Sequence, residues 1–135
     1  MELINVLNNR LNLLQETRDF YYSKKFNPLP TRASDNMETC FYCHPDTGNK
    51  CAIGRLLRKS DFKRIANQSL LEYIPKDIIE NLLKRFKIST DNYGKDMYWL
   101  QKLQIFHDNP NRAKDLYQDM SYDLRQEIKE LSEKQ

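Results

Sequence analysis

Asp96-Met97-Tyr98-Trp99-Leu100-Gln101-Lys102-Leu103-Gln104-Ile105-Phe106-His107-Asp108 is the stretch whose periodicity decides the fold class. Trp99, Leu103 and Phe106 recur at helical spacing with Leu100 beside them, whereas a half-buried strand would alternate apolar and polar residues. A helix over residues 96–107 follows, broken by Asn109-Pro110-Asn111. Downstream, Leu124, Ile128 and Leu131 predict a helical region over 112–134, restarted at Ser121. Upstream, the polar run at 89–94 reads as a turn. Before it, Pro75 opens a helix reaching about Phe86, with Asp77 and Glu80 near its positive end. Ser60 or Asp61 is expected to cap a further helix carrying Phe62, Ile65, Ala66, Ser69 and Tyr73.

The N-terminal segment predicts a helix over 2–22, with Leu3, Ile4, Leu7, Leu11, Leu14, Tyr21 and Tyr22 as its apolar stripe. Its many Asn residues are poor helix formers, so packing must supply most of its stability. Pro28 and Pro30 end the element. Thr39-Cys40-Phe41-Tyr42-Cys43 then has β-favouring side chains, and Pro45 and Gly48 suit a turn. A small β-hairpin over about 39–53 is expected, leading through Gly54 into a helix near Arg55. The expected fold is mostly α, a compact helical bundle with that hairpin after the first helix, in a single domain over 1–135. A chain of 135 residues is of single-domain size.

Composition narrows the class further. Hydrophobic residues make up 39%, charged residues 30%, and only three Gly and five Pro occur. Those values disfavour collagen-like, disordered and turn-dense all-β chains. No apolar run approaches the length that spans a bilayer. Met1-Glu2-Leu3-Ile4-Asn5 lacks the basic start and apolar block of a secretory signal, so a cytoplasmic location with no membrane partner is expected. The three cysteines, Cys40, Cys43 and Cys51, form an odd set and point to a reducing compartment.

The net charge of +3 is too mild to mark a nucleic-acid binder. Its distribution is more telling, because residues 50–64 hold Lys50, Arg55, Arg58, Lys59, Lys63 and Arg64 against Asp61 alone. Such a segment attracts phosphates, and Tyr42 nearby offers a ring on which a base would stack. The plainer reading is a solvated helix face.

Two other constellations have chemical meaning. Cys40, Cys43 and Cys51, completed by His107, have the residue types of a zinc site, although the usual second Cys pair is missing. Their plainer reading is that of small buried hydrophobes. Cys51, His107 and Asp108 also match a thiol nucleophile, base and orienter. Against that, His107 borders an apolar stripe, and Asp108, next to it in sequence, is expected to cap the helix end rather than orient the ring.

Phe20-Tyr21-Tyr22, Cys40-x-Tyr42, Gly48-x-x-Cys51-Ala52-Ile53-Gly54-Arg55-Leu56-Leu57 and Leu103-Gln104-x-x-His107-Asp108 occur in that order. This set resembles a group of small uncharacterised proteins encoded by phages, plasmids and bacterial genomes, over residues 20–108. The resemblance implies a mobile-element origin and no particular chemistry. Cys43 and His44 fall outside the shared pattern.

The function expected is non-enzymatic: an accessory protein holding a phosphate-bearing ligand or an acidic partner, in its sharpest form a counter-defence protein sequestering a nucleotide signal. Tyr42, Arg55, Arg58, Gln104 and His107 are the expected ligand-binding residues. A homo-oligomer is expected, since small proteins often build pockets between protomers. The alternatives are a zinc-stabilised adaptor for protein or nucleic acid, and a thiol-dependent enzyme using Cys51 and His107. Underlying all of these is one spatial expectation, that Cys51 and His107 lie together in the molecule.

Overall fold

A computed structural model describes residues 1–33 and 41–134. Among them run four α-helices: α1 (Leu3–Tyr21), α2 (Lys76–Arg85), α3 (Tyr93–Asp108) and α4 (Ala113–Glu133). Short 3-10 turns at Gly54–Leu56, Lys59–Arg64, Leu71–Tyr73 and Pro110–Arg112 shape the connections. The mostly helical class is as the periodicity predicts. No described helix is long and apolar enough to cross a membrane.

α4 packs along α1 and also against α3. The guanidinium of Arg18, late in α1, lies 4.9 Å from the ring centroid of Tyr117, early in α4, so the two helices run antiparallel. α4 is continuous through Ser121, where a restart is predicted; Ser121 is buried and its hydroxyl donates to the Gln118 carbonyl, which keeps it inside the helix. α3 begins at Tyr93, earlier than its apolar spacing shows, because the Asn92 side chain accepts from the Lys95 amide and caps the first turn.

The buried face of α1 is Val6, Leu7, Arg10, Leu13, Leu14, Thr17 and Tyr21. It is rotated from the predicted stripe: Leu3 is exposed, and Arg10 and Thr17 take inward positions. Arg10 can be buried because its charge is answered. It reaches Asp96 at 2.5 Å and donates Nε–H to the Ile88 carbonyl, while Thr90 and Ser89 also donate to Asp96. The pair pins the middle of α1 to the start of α3, and loss of either partner would leave a buried charge uncompensated.

The hairpin over 39–53 is not seen: among the described residues there is no strand, only an isolated antiparallel bridge between Tyr22 and Pro28. Thr39 and Cys40 lie outside the described residues. The reason is where the backbone donors go. The Tyr42 amide donates to the Asn67 carbonyl and the Cys43 amide to Asn67 Oδ1. The Ile53 amide donates to Gln104, and the Arg55 amide to the Cys51 carbonyl in a helical turn. One rung, His44 N–H to the Asn49 carbonyl at 2.7 Å, closes the turn at 44–49. Cys51, Ala52 and Ile53 are buried in the core instead of alternating in and out.

The helix predicted near Arg55 is a single 3-10 turn, and that predicted from Ser60 ends at Arg64. Asp61 does act at its start, accepting from the Arg58 amide at 2.8 Å. Gly54 permits a close passage, and the backbone it passes is that of Tyr42. A Cβ built there would lie 1.9 Å from the Tyr42 carbonyl oxygen, whereas α3 approaches through Ile53 and Gln104. Gly54→Ala is therefore expected to destabilise the fold by about 3 kcal/mol, since backbone blocks the new methyl group. Gly94→Ala, whose Cβ would meet nothing nearer than 3.7 Å in the first turn of α3, is expected to stabilise by roughly 0.5–1 kcal/mol. Urea denaturation of the two variants measures both, and equal midpoints would contradict this account.

Candidate functional site

The core gathers several of the predicted site residues. The His107 ring stands edge-on to Tyr21 with centroids 4.5 Å apart. Burial pushes the Tyr21 hydroxyl well above its ordinary pKa, and the neighbouring Cys51 thiol adds to that shift. Cys51 and His107 therefore both lie beside Tyr21. Gln104 joins their segments, accepting from the Ile53 amide at 3.1 Å and donating to Asp108 Oδ1 at 3.0 Å.

Asp108 does orient the ring, contrary to the expectation that it would only cap the helix: His107 Nδ1 lies 2.8 Å from Asp108 Oδ1. The last turn of α3 brings the adjacent side chains together there. Nδ1 is then the protonated nitrogen of a neutral ring, and Nε2 is buried with no hydrogen-bond partner among the described residues. The His107 carbonyl is held as well, accepting from Tyr22 Oη at 2.8 Å and from Arg32 Nη2 at 3.1 Å. These bonds satisfy the C-terminus of α3. Burial pushes the Tyr22 hydroxyl up to about 12.

This cluster is packed interior. Cys51 and His107 are both 0% exposed, which leaves a thiol nucleophile and its base no contact with solvent. Tyr42 is buried too, its hydroxyl donating to the Ser69 carbonyl, so its ring is not a stacking platform. Cys43 sits near the surface with Sγ 3.7 Å from the Gly48 carbonyl, while Cys51 Sγ accepts from the Gly54 amide. Cys40 lies outside the described residues, among which no group of three His, Cys, Asp or Glu could hold a metal ion.

The basic segment separates by residue type. Arg55 pairs with Glu16 and lies over the Phe20 ring; Arg58 pairs with Asp61; Arg64 grips Asp77 with both guanidinium nitrogens, at 2.7 and 2.9 Å. The hydrogen bonds from Arg64 hold the Asp77 carboxyl below its usual range. Lys50, Lys59 and Lys63 have no ion pair among the described residues. They line one open groove of about 640 Å3, whose remaining walls are Phe62, Ile65, Asn67 and Cys43. No carboxylate of the described residues lines it.

Core contacts position both walls. Tyr21 Oη donates to the Lys50 carbonyl at 2.5 Å, and the Lys50 ammonium lies 5.3 Å from the Phe62 ring centroid. Asn67 binds the Cys43 backbone from both ends of its amide, accepting from the N–H and donating to the carbonyl at 2.7 Å. Opposite, the 3-10 turn Lys59–Arg64 presents Lys59 and Lys63. The predicted ligand residues thus do not share a site: Arg55 and Arg58 are neutralised, and Tyr42 and His107 are interior. Lys50, Lys59, Lys63 and Phe62 take their place. The signal for them lay in the same charge run, but Glu16 and Asp77, which cancel two of its arginines, are distant in sequence.

No protein-family model, curated protein or solved structure matches the chain.

Desolvation sets the pH response of the interior cluster. It lowers the His107 pKa below its ordinary 6.5, with Asp108 opposing and Arg32 reinforcing the shift. The unfolded chain therefore takes up the proton first, and stability present above 6.5 is lost as pH falls below it. The urea midpoint is expected to drop between about pH 7.5 and about pH 5.5, and His107→Gln to flatten that dependence. An unchanged slope in the variant would remove His107 as its source.

Proposed function

We propose that the protein is a non-enzymatic binder of a small phosphate-bearing ligand, held in the groove of Lys50, Lys59 and Lys63. The observation that carries this reading is the convergence of three lysines on one groove, with neither an ion pair to any of them nor a lining carboxylate among the described residues. Its volume, about 640 Å3, suits a molecule of nucleotide size. Phe62 and Ile65 supply apolar wall for a base or sugar, and Asn67 supplies polar edge. Three ammonium groups answer a diphosphate or two phosphates more readily than a single carboxylate. With three arginines of the segment neutralised by Glu16, Asp61 and Asp77, the basic surface is local and does not form the stripe that tracks a duplex.

A counter-defence role, in which the groove sequesters a nucleotide signal, is the sharpest form of this proposal. Its support is the set of motifs the chain has in common with phage-borne proteins, together with a groove of the right size and sign. Calorimetry against mononucleotides, dinucleotides and cyclic nucleotides tests it. Binding that weakens with salt is expected. Lys59→Ala and Lys63→Ala should each cost about tenfold in affinity, or ~1.4 kcal/mol. Arg58→Ala should leave affinity unchanged. No binding across the panel, or equal loss in the arginine variant, would overturn the assignment.

A further inference from the structure

A second surface runs along α3 and α4, with Leu3, Leu7 and Arg10 of α1 lining its larger hollow as well, and it is built differently from the lysine groove. Two adjoining hollows, of about 590 and 340 Å3, share Lys102, Met120 and Asp123 and so form one furrow along the two helices. Its floor is apolar, with Trp99, Met120 and Leu124. Its walls carry opposite charge: Lys95 and Lys102 stand on α3, and Asp119, Asp123 and Glu127 on α4. Among the described residues no ion pair crosses between these walls. Large apolar side chains also remain in solvent along it, Tyr98 at 59%, Ile105 at 46% and Tyr122 at 63%.

The spacing on α3 is notable: Lys95, Tyr98, Lys102 and Ile105 follow one another by three, four and three residues, the seam of a helix that packs against another helix. The same intervals separate Leu116, Asp119, Asp123 and Gln126 on α4. Together they give a ridge and a furrow of matching length, the ridge basic and the furrow's far wall acidic. A surface that carries both halves of a complementary pair satisfies itself under a two-fold rotation.

We propose that two copies of the chain pair through this face. α3 of one copy lies along α4 of the other, with Tyr98 and Ile105 entering the partner's furrow and Lys95 and Lys102 facing its acidic wall. The result is a four-helix layer of two α3 and two α4 helices, packed ridge into groove. The apolar floor gives the pair its stability, and the charges fix its register and direction. The lysine groove is not part of this face, so dimer formation and ligand binding can fail separately.

Analytical ultracentrifugation of the full chain, with two charge variants, tests the pairing. One variant carries Lys95→Glu and Lys102→Glu, making both walls acidic. The other carries Asp119→Lys and Asp123→Lys, making both walls largely basic. The unmodified chain should be a dimer at roughly 10 µM. Each variant alone should dissociate at least about tenfold more readily, and an equimolar mixture of the two should recover the dimer. Ile105→Gln, a surface change that leaves the charges alone, should also give monomer, with altered emission from Trp99, the only tryptophan in the sequence. Circular dichroism distinguishes unfolding from dissociation. A monomeric unmodified chain, a dimer indifferent to all three variants, or variants that fail to pair with each other would each overturn the proposal.

Discussion

Gly54 passes the Tyr42 carbonyl where even one methyl group would collide with backbone, and the surrounding contacts follow from that passage. With the chain held there, the Ile53 amide faces α3 and finds Gln104. Gln104 reaches Asp108, Asp108 holds the His107 ring, and that ring packs on Tyr21. Tyr21 in turn fixes the Lys50 carbonyl at the rim of the basic groove. A continuous series of contacts therefore runs from a backbone close approach in the core to a charged side chain at the surface. Most of its links are hydrogen bonds, joined by the steric passage at Gly54 and the ring contact of His107 with Tyr21, and set within buried packing where hydrogen bonds position groups more sharply than apolar contact alone.

Arginine and lysine divide the work in this surface according to their chemistry. The planar guanidinium forks of Arg55 and Arg64 tie separate parts of the chain together through Glu16 and Asp77, while Arg58 closes a local pair with Asp61. The ammonium groups of Lys50, Lys59 and Lys63, compact charges on flexible stems, are left facing the groove. The basic run is thus divided between arginines that hold carboxylates and lysines that line an open groove.

How much of this was legible varies with the range of the interaction concerned. The helices were legible because period and caps are local: Trp99, Leu103 and Phe106 mark α3, and Pro75 marks the start of α2. The expectation that Cys51 and His107 lie together holds at the level of their segments, which the Ile53 amide and Gln104 join. The hairpin misled because Tyr42 and Ile53 favour strands intrinsically, whereas their amides go to Asn67 and Gln104 from elsewhere in the chain. The inward face of α1 was shifted because Arg10 looks like a surface residue until Asp96 is seen beneath it. Glu16 and Asp77 cancel charges distant from them in sequence, and no local pattern announces that.

The pairing of α1 with α4 has a consequence for biogenesis. A ribosome delivers α1 first, yet the helix that covers much of it is made from residues 113–133. Through most of synthesis Leu7 and Leu14 face solvent or the exit-site machinery, and the tertiary core closes only in a late, cooperative step. Until α4 is made, α1 offers an apolar face to chaperones, a vulnerability absent from folds that complete themselves by neighbouring contacts.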